Sequence, residues 1–256
     1  MMTLFRKITL AVAGGLAAVA VGVPGERAVA QNVLSAKEMV ALTPMLPERV
    51  TLSREAKEVL AQKLGQIVTQ NGFGSVSGQM VLTAHAVTVD KSVTGSVPVQ
   101  FAVKMEVTFY ALDLIEGTVI DSYTVSVQGV DPAEHKAVIK ALAQIRPKSP
   151  ALRGFMGQVR ERIVDYYTTR IPALITKART LEKMGRRGEA LALLGSVPEQ
   201  VDEYPVVAQE MQQIAERGGM SGQELSERDA LVTQAVRKIL ADALNRWYVD
   251  KFLAVE

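Results

Sequence analysis

Residues 101–142, FAVKMEVTFYALDLIEGTVIDSYTVSVQGVDPAEHKAVIKAL, carry two periodicities in one stretch, and the point where one replaces the other decides the fold. Val99, Phe101, Val103, Met105, Val107 and Phe109 alternate with Gln100, Lys104, Glu106 and Thr108. Val119, Tyr123, Val125 and Val127 alternate in the same way with Ser122, Thr124, Ser126 and Gln128. A period of two sends successive side chains to opposite faces of a strand, so both segments predict an antiparallel sheet with one buried face. The connector DLIEGT, with Gly117 free to take a positive φ, predicts the hairpin turn between them. After Val130 the period becomes 3.6. Ala133, Ala137, Val138, Ala141, Leu142 and Ile145 share one helical face, behind Asp131 as N-cap, Pro132 at the first helical position and Glu134 as capping-box partner.

Working outward, residues 80–89 (MVLTAHAVTV) predict a third strand from their β-branched and apolar content. Before them, Ala56, Val59, Leu60, Leu64, Ile67 and Val68 fall on one face of a helix capped by Ser53 and ended by Asn71-Gly72. The run GFGSVSG at 72–78 lacks the glycine spacing of a nucleophile elbow and follows a helix where a dinucleotide loop follows a strand, so it is read as a connector. The expected fold class is therefore α+β: an amino-terminal antiparallel sheet packed by helices over residues 51–146, preceded by an extended lead at 31–50.

Arg146-Pro147-Lys148-Ser149-Pro150 marks a break, with 147–150 as linker, and an all-α tail is expected over 151–256. Phe155, Val159, Ile163, Tyr166, Tyr167 and Ile171 stripe a long helix bent near Pro172; Leu174, Ile175, Ala178 and Leu181 continue the stripe. Helices at 188–196 and about 203–217 follow. In the last helix Leu231, Val232, Ala235, Val236, Ile239, Leu240, Ala243, Leu244 and Trp247 form the expected buried stripe, and Trp247, Tyr248 and Phe252 are expected to dock on the core. The segment MGRRGEALALLGSVPE is read as one tetratricopeptide-like hairpin, about 174–198. Gly185 and Gly219 stand 34 residues apart, the period of that repeat, but the rest of the pattern does not recur.

Charge divides the tail. Residues 146–187 hold eleven basic and three acidic side chains, whereas 188–229 hold two basic and nine acidic. Self-pairing between these segments is the expected use of the cations Arg160, Arg162, Arg170, Lys177, Arg179, Arg186 and Arg187. The same residues are the candidate interaction surface if they stay open to an acidic polymer. Nucleic acid is not expected, because no base-stacking motif accompanies them.

The chain opens with Arg6-Lys7, sixteen uncharged residues at 8–23, and Ala28-Val29-Ala30, which predicts a signal peptide over 1–30 cleaved before Gln31. Sixteen helical residues span about 24 Å, short of a hydrocarbon core of about 30 Å. The chain has no cysteine, which excludes disulfides, thiolate metal sites and a lipid-bearing cysteine, so a soluble exported protein, most naturally periplasmic, is expected. With Arg6, Lys7, Arg27 and Glu26 removed, basic and acidic residues balance, so the pI of about 8.8 says nothing of a basic partner.

Chemistry is sparse. His85, in a strand, is expected to be a sheet-face or core histidine, and His135, in a first helical turn, a surface one. Asp113, Glu116 and Asp121 cluster about one hairpin as a candidate acid/base pair or cation site, with turn polarity as the competing explanation. No cofactor and no metal site are expected.

The order helix, NGFG, strand, hairpin, glycine and Ala-rich helix resembles the small α/β domain of bacterial envelope proteins. That domain occurs in the curli secretion lipoprotein and at the amino terminus of the Tol-system periplasmic protein. The matching positions are Asp113, Gly117, Gly129, Ala137 and Ala141. The whole chain from Gln31 also resembles uncharacterised exported proteins of Bacteroidota through Tyr166-Tyr167, Ala178, Leu181, Gly185, Glu189-Ala190-Leu191 and Val197-Pro198. The resemblance implies the fold of such an envelope domain; an envelope protein partner is expected from the signal peptide, the sparse chemistry and the helical hairpin. The expectation is a non-enzymatic interaction or assembly module, with a carboxylate-dependent envelope hydrolase, or a binder of acidic polymer through 153–187, as the alternatives.

Overall fold

A computed structural model describes residues 40–74, 79–95, 97–114, 116–218 and 238–253. The expected leader (1–30), residues 31–39 of the lead, residues 75–78 of the connector and Leu231, Val232, Ala235 and Val236 of the expected final stripe lie outside the described residues. The fold is α+β, a four-stranded, mostly antiparallel sheet packed by helices and followed by a helical region.

The strands are β1 (Thr43–Pro44), β2 (Met80–Thr94), β3 (Gln100–Asp113) and β4 (Thr118–Asp131), in the order β1-β2-β3-β4. β1 is a parallel two-residue stub on Val81 and Leu82 that periodicity does not reveal. β2–β3 and β3–β4 are antiparallel, and Gly117 turns the second hairpin at φ 67°.

Val103, Met105, Val107, Phe109 and Ala111 of β3 are buried on the front face, as their alternation predicts. Val99 precedes the strand and is exposed. Val119 also departs from expectation. The β3–β4 register shifts between Ala111 and Leu112, so Asp121 opposes Ala111 but Val119 opposes Leu112 on the back face. The added residue reverses the side-chain parity beyond it.

Against the front face lie α1 (Arg54–Gln70), α2 (Glu134–Ala143) and α3 (Pro150–Lys183). The Ser53 hydroxyl accepts from Ala56 N–H at 3.3 Å, capping α1 as predicted, and Gly72 leaves it at φ 75°. α2 starts later than its sequence signals imply. Asp131 ends β4, and its carboxylate accepts from Ala133 N–H at 2.9 Å and pairs with Lys140 at 2.7 Å, so the helix begins at Glu134 without a side-chain cap. Gly129 lets α2 lie directly on β4: a Cβ there would stand 2.5 Å from Ala141 N and closer still to Ala137 O.

The expected linker at 147–150 is partly a helix start. Ser149 accepts from Leu152 N–H at 3.3 Å, Pro150 opens α3, and the helix continues through Pro172 to Lys183. Pro is favourable there because the first helical position has no intrahelical acceptor for an N–H. No break in packing occurs at this point. One apolar cluster runs from the sheet through Leu152, Phe155, Val159 and Ile163 of α3. It continues to Ala190 and Leu194 of α4 (Arg187–Gly195) and Val207 and Ile214 of α5 (Tyr204–Gly218). Gly185, at φ 77°, reverses the chain between α3 and α4, at the hairpin that the sequence predicts.

The last element, α6, is described over residues 238–248 and ends in a wide π turn, Val249–Leu253. It covers the back of the sheet at the β1 end. Leu240 and Leu244 close over Val81, Leu112 and Leu114 as a second, smaller apolar cluster. Ile239, placed by the sequence on the buried stripe, is exposed; Leu240, Leu244 and Tyr248 turn inward. No helix among the described residues is long and apolar enough to cross a membrane.

His85 joins α6 to the sheet. Its ring stacks on Phe252, with centroids 4.0 Å apart and planes 3° apart, and Nδ1 lies 2.8 Å from the Tyr248 hydroxyl. Tyr110 and Lys251 border the same cluster. Burial holds the His85 pKa below its ordinary 6.5. The folded state therefore binds this proton less readily than the unfolded chain, and docking of α6 should be full above pH 6.5 and weaken as pH falls below it. Hydrogen exchange in 238–253, corrected for intrinsic rates, is expected to speed up between about pH 7.5 and 5.5. His85→Phe, which preserves a ring on Phe252, should remove that acceleration.

Candidate functional site

Some members of the two groups singled out by sequence, Asp113 and Glu116 among the acids and Arg170 and Lys177 among the cations, meet in one joint. At its centre Asp113, at the end of β3, is only 1% exposed. Its Oδ2 accepts from the Tyr166 hydroxyl at 2.6 Å and, more distantly, from Gln79 Nε2 at 3.5 Å, while Oδ1 accepts from Glu116 N–H at 3.2 Å. The same Gln79 amide donates to the Tyr167 hydroxyl at 3.1 Å. Adjacent tyrosines on α3 thus grip the carboxylate and amide beside the β3–β4 turn.

Burial, then the Asp113 carboxylate, push the Tyr166 pKa well above the usual tyrosine range; burial raises Tyr167 to about 12. Both hydroxyls keep their protons at neutral pH. Arg170 lies over the Tyr166 ring at 4.2 Å and 3.6 Å from Glu116, whose other oxygen is 3.9 Å from Lys177. The space between these groups is about 10 Å³, room for no more than one water molecule. A substrate does not fit there, and the chemistry available is hydrogen bonding that fixes the turn to α3.

Asp121 does not join Asp113 and Glu116. It pairs about one turn earlier on α3 with Arg162, at 3.5 Å. The sequence grouped three acids; the fold uses two at the joint and one as a separate tie, because Asp121 sits opposite Ala111 on the front face, before the register shift, where it meets Arg162. His135 is exposed, as expected, and His85 belongs to the α6 contact. Among the described residues no group of three or more His, Asp or Glu is placed to hold a metal ion.

The basic residues of α3 are divided between two acidic partners, only one of which the charge pattern foretells. Arg162, Arg170 and Lys177 face the β3–β4 hairpin, while Arg160 donates to the carbonyls of Asn71 and Gly72 at 2.8 and 3.1 Å and lies over Phe73. Arg179 forms a bidentate pair with Glu210 of α5, at 3.0 and 2.5 Å. Arg217 of α5 returns the contact to Glu182, at 2.8 and 2.9 Å. Arg186 pairs locally with Glu189 at 2.6 Å. Arg187 takes part in none of these pairs.

Glu210 is 4% exposed, and its hydrogen-bonded Arg179 holds its pKa below 4.5, as Arg217 does for Glu182. Depressed carboxylates contribute stability that is present above their unfolded pKa and lost as pH falls through the folded value. Glu210→Gln should therefore lower Tm at pH 7, with the difference between mutant and wild-type melting temperatures shrinking as pH falls below 4.5.

Gln79, Tyr166 and Tyr167 complete the joint, and the sequence does not mark them as its members. The two tyrosines lie on the apolar stripe of α3, and only the polar ends of their rings distinguish them from core residues. Comparison with protein-family models, curated proteins and solved structures finds no match for the chain.

Proposed function

We propose that this chain is an exported, non-enzymatic module of the cell envelope that binds a protein partner by adding a strand to its sheet. The observation that carries this reading is the outer edge of β2. Over Met80–Thr94 its inner side is paired with β3, but β1 meets its outer side only at Val81 and Leu82, with one further bond from Met45 N–H to Leu82 O. No described strand lies alongside Ala84–Val93. Such an edge offers main-chain donors and acceptors in register for an extended peptide, which is how strand addition gains affinity.

Side chains favour a selective partner over indiscriminate pairing. Val87, Val89 and Val93 are 43%, 46% and 61% exposed and supply apolar contacts along this edge, Val87 on the back face and Val93, beyond the register shift, on the front. The register shift between Thr88 and Asp90, followed by Lys91, interrupts a long flat edge, and such interruptions restrain uncontrolled association. Export rests on the basic start, the apolar run and the Ala-Val-Ala site in the leader sequence.

Photo-crosslinking in the native cells tests the reading. A benzoylphenylalanine at Val87 or Val89 should give a discrete protein adduct, lost when Val93→Lys is added, whereas one at Glu161 on the outer side of α3 should not. The absence of an adduct at the β2 positions, or equal adducts at Glu161, would overturn it. The mature amino terminus should be Gln31; an intact leader in the fractionated protein would overturn export.

A further inference from the structure

A second surface, independent of the β2 edge, has the makings of a ligand site. Between the end of α3 and α5 lies an open cleft of about 570 Å³ lined by Arg179, Glu182, Lys183, Arg187, Glu210, Gln213 and Arg217. Four cations face two carboxylates. The carboxylates are already engaged: Glu210 by Arg179 and Glu182 by Arg217, each through two hydrogen bonds. Lys183 and Arg187 are left over. Neither forms an ion pair among the described residues, and the Arg187 Nε–H is buried without an acceptor.

A buried donor without an acceptor costs about 1–3 kcal/mol, and the carboxylates beside this one are committed to other partners. We propose that the cleft binds a doubly charged oxyanion, a phosphate group or a pair of carboxylates, with Arg187 and Lys183 as its principal contacts. Guanidinium presents planar donors that match two oxygens of one anion, and an ammonium adds a point charge beside it. The Gln213 amide provides a neutral donor on the opposite wall. Arg179 and Arg217 act differently. By neutralising Glu210 and Glu182 they remove the repulsion that would otherwise keep an anion out.

Titration of the full chain with inorganic phosphate, and separately with succinate, in low-salt buffer at neutral pH tests this site. Saturable binding is expected, followed by backbone amide shifts at Lys183, Arg187 and Gln213. Arg187→Gln and Lys183→Gln should each weaken it about tenfold or more. Arg162→Gln, on the same helix but tied to Asp121, should leave it unchanged. Binding of both anions identifies general oxyanion recognition, and binding of phosphate alone identifies a phosphate site; either supports the proposal. Matched chloride should produce no such shifts. Failure of both anions to saturate by about 10 mM, or saturation unaffected by either substitution in variants that keep the wild-type melting curve, would overturn it. Neither result bears on crosslinking at β2.

Discussion

Gly129→Ala is expected to be the most damaging small substitution in the protein. The position is extended strand, so backbone freedom is not the issue; close approach is. A methyl group at Gly129 would meet backbone atoms of Ala137 and Ala141, neither of which can rotate away. α2 would have to lift from β4, opening the contact that also buries Ala137, Ala141 and Leu142. Overpacking of this kind costs about 3 kcal/mol, which for a chain of this size lowers Tm by roughly 6–12 °C. Gly157→Ala, at an exposed α3 position with nothing within 4 Å, is the control and should not destabilise. Equal melting temperatures for the two variants would show that α2 does not rest on the strand backbone.

Asp113→Ala is expected to have the second large effect, through unsatisfied donors. It removes the acceptor of Tyr166, of Gln79 and of the Glu116 N–H together. Leaving such groups unpaired costs about 3 kcal/mol in denaturant unfolding. Asp113→Asn preserves the shape and one acceptor and should cost about 1 kcal/mol. It should also bring the Tyr166 ionisation back toward its ordinary value of 10.0, because a neutral amide no longer opposes phenolate formation. A pH titration of tyrosine absorbance reads that shift directly. A fully stable Asp113→Ala protein would remove the joint as a structural tie and reopen a chemical role for the carboxylate.

Much of this architecture is legible in the sequence because short-range physics dictates it. The alternation through Val103–Phe109 marks the buried face of β3, Ser53 marks the start of α1, and Gly117 and Gly185 mark two turns. The features that escape such a reading depend on distant residues. β1 is two residues long and exists only because β2 lies beside it. Val119 looks equivalent to Tyr123 until a register shift, set by pairing with β3, moves it to the other face. Asp131 has the sequence of an N-cap, yet the strand holds its backbone and the carboxylate bonds to Ala133 instead.

The candidate site shows the same division. Opposite charges at 146–187 and 188–229 correctly point to α3–α5 pairs such as Arg179–Glu210. They give no sign that Arg162, Arg170 and Lys177 turn to a hairpin some fifty residues earlier. Residue counts along a chain cannot show which elements share a side of the sheet. Tyr166 and Tyr167 read as apolar for a related reason: a buried tyrosine looks like a phenylalanine until the partner of its hydroxyl is known.

The placement of α6 has a consequence for the order in which the molecule is assembled. The back of the sheet is finished by the far end of the chain: Asn245 accepts from Glu48 N–H across 197 positions, and Tyr248 reaches His85 across 163. Until α6 docks, Val81, Leu112 and Leu114 face water on an otherwise formed sheet. Long-range contacts of this kind form late and leave intermediates open to misassociation. Among the described residues α6 is what hides that surface, so a variant truncated before residue 238 should present an apolar sheet face to proteases and chaperones.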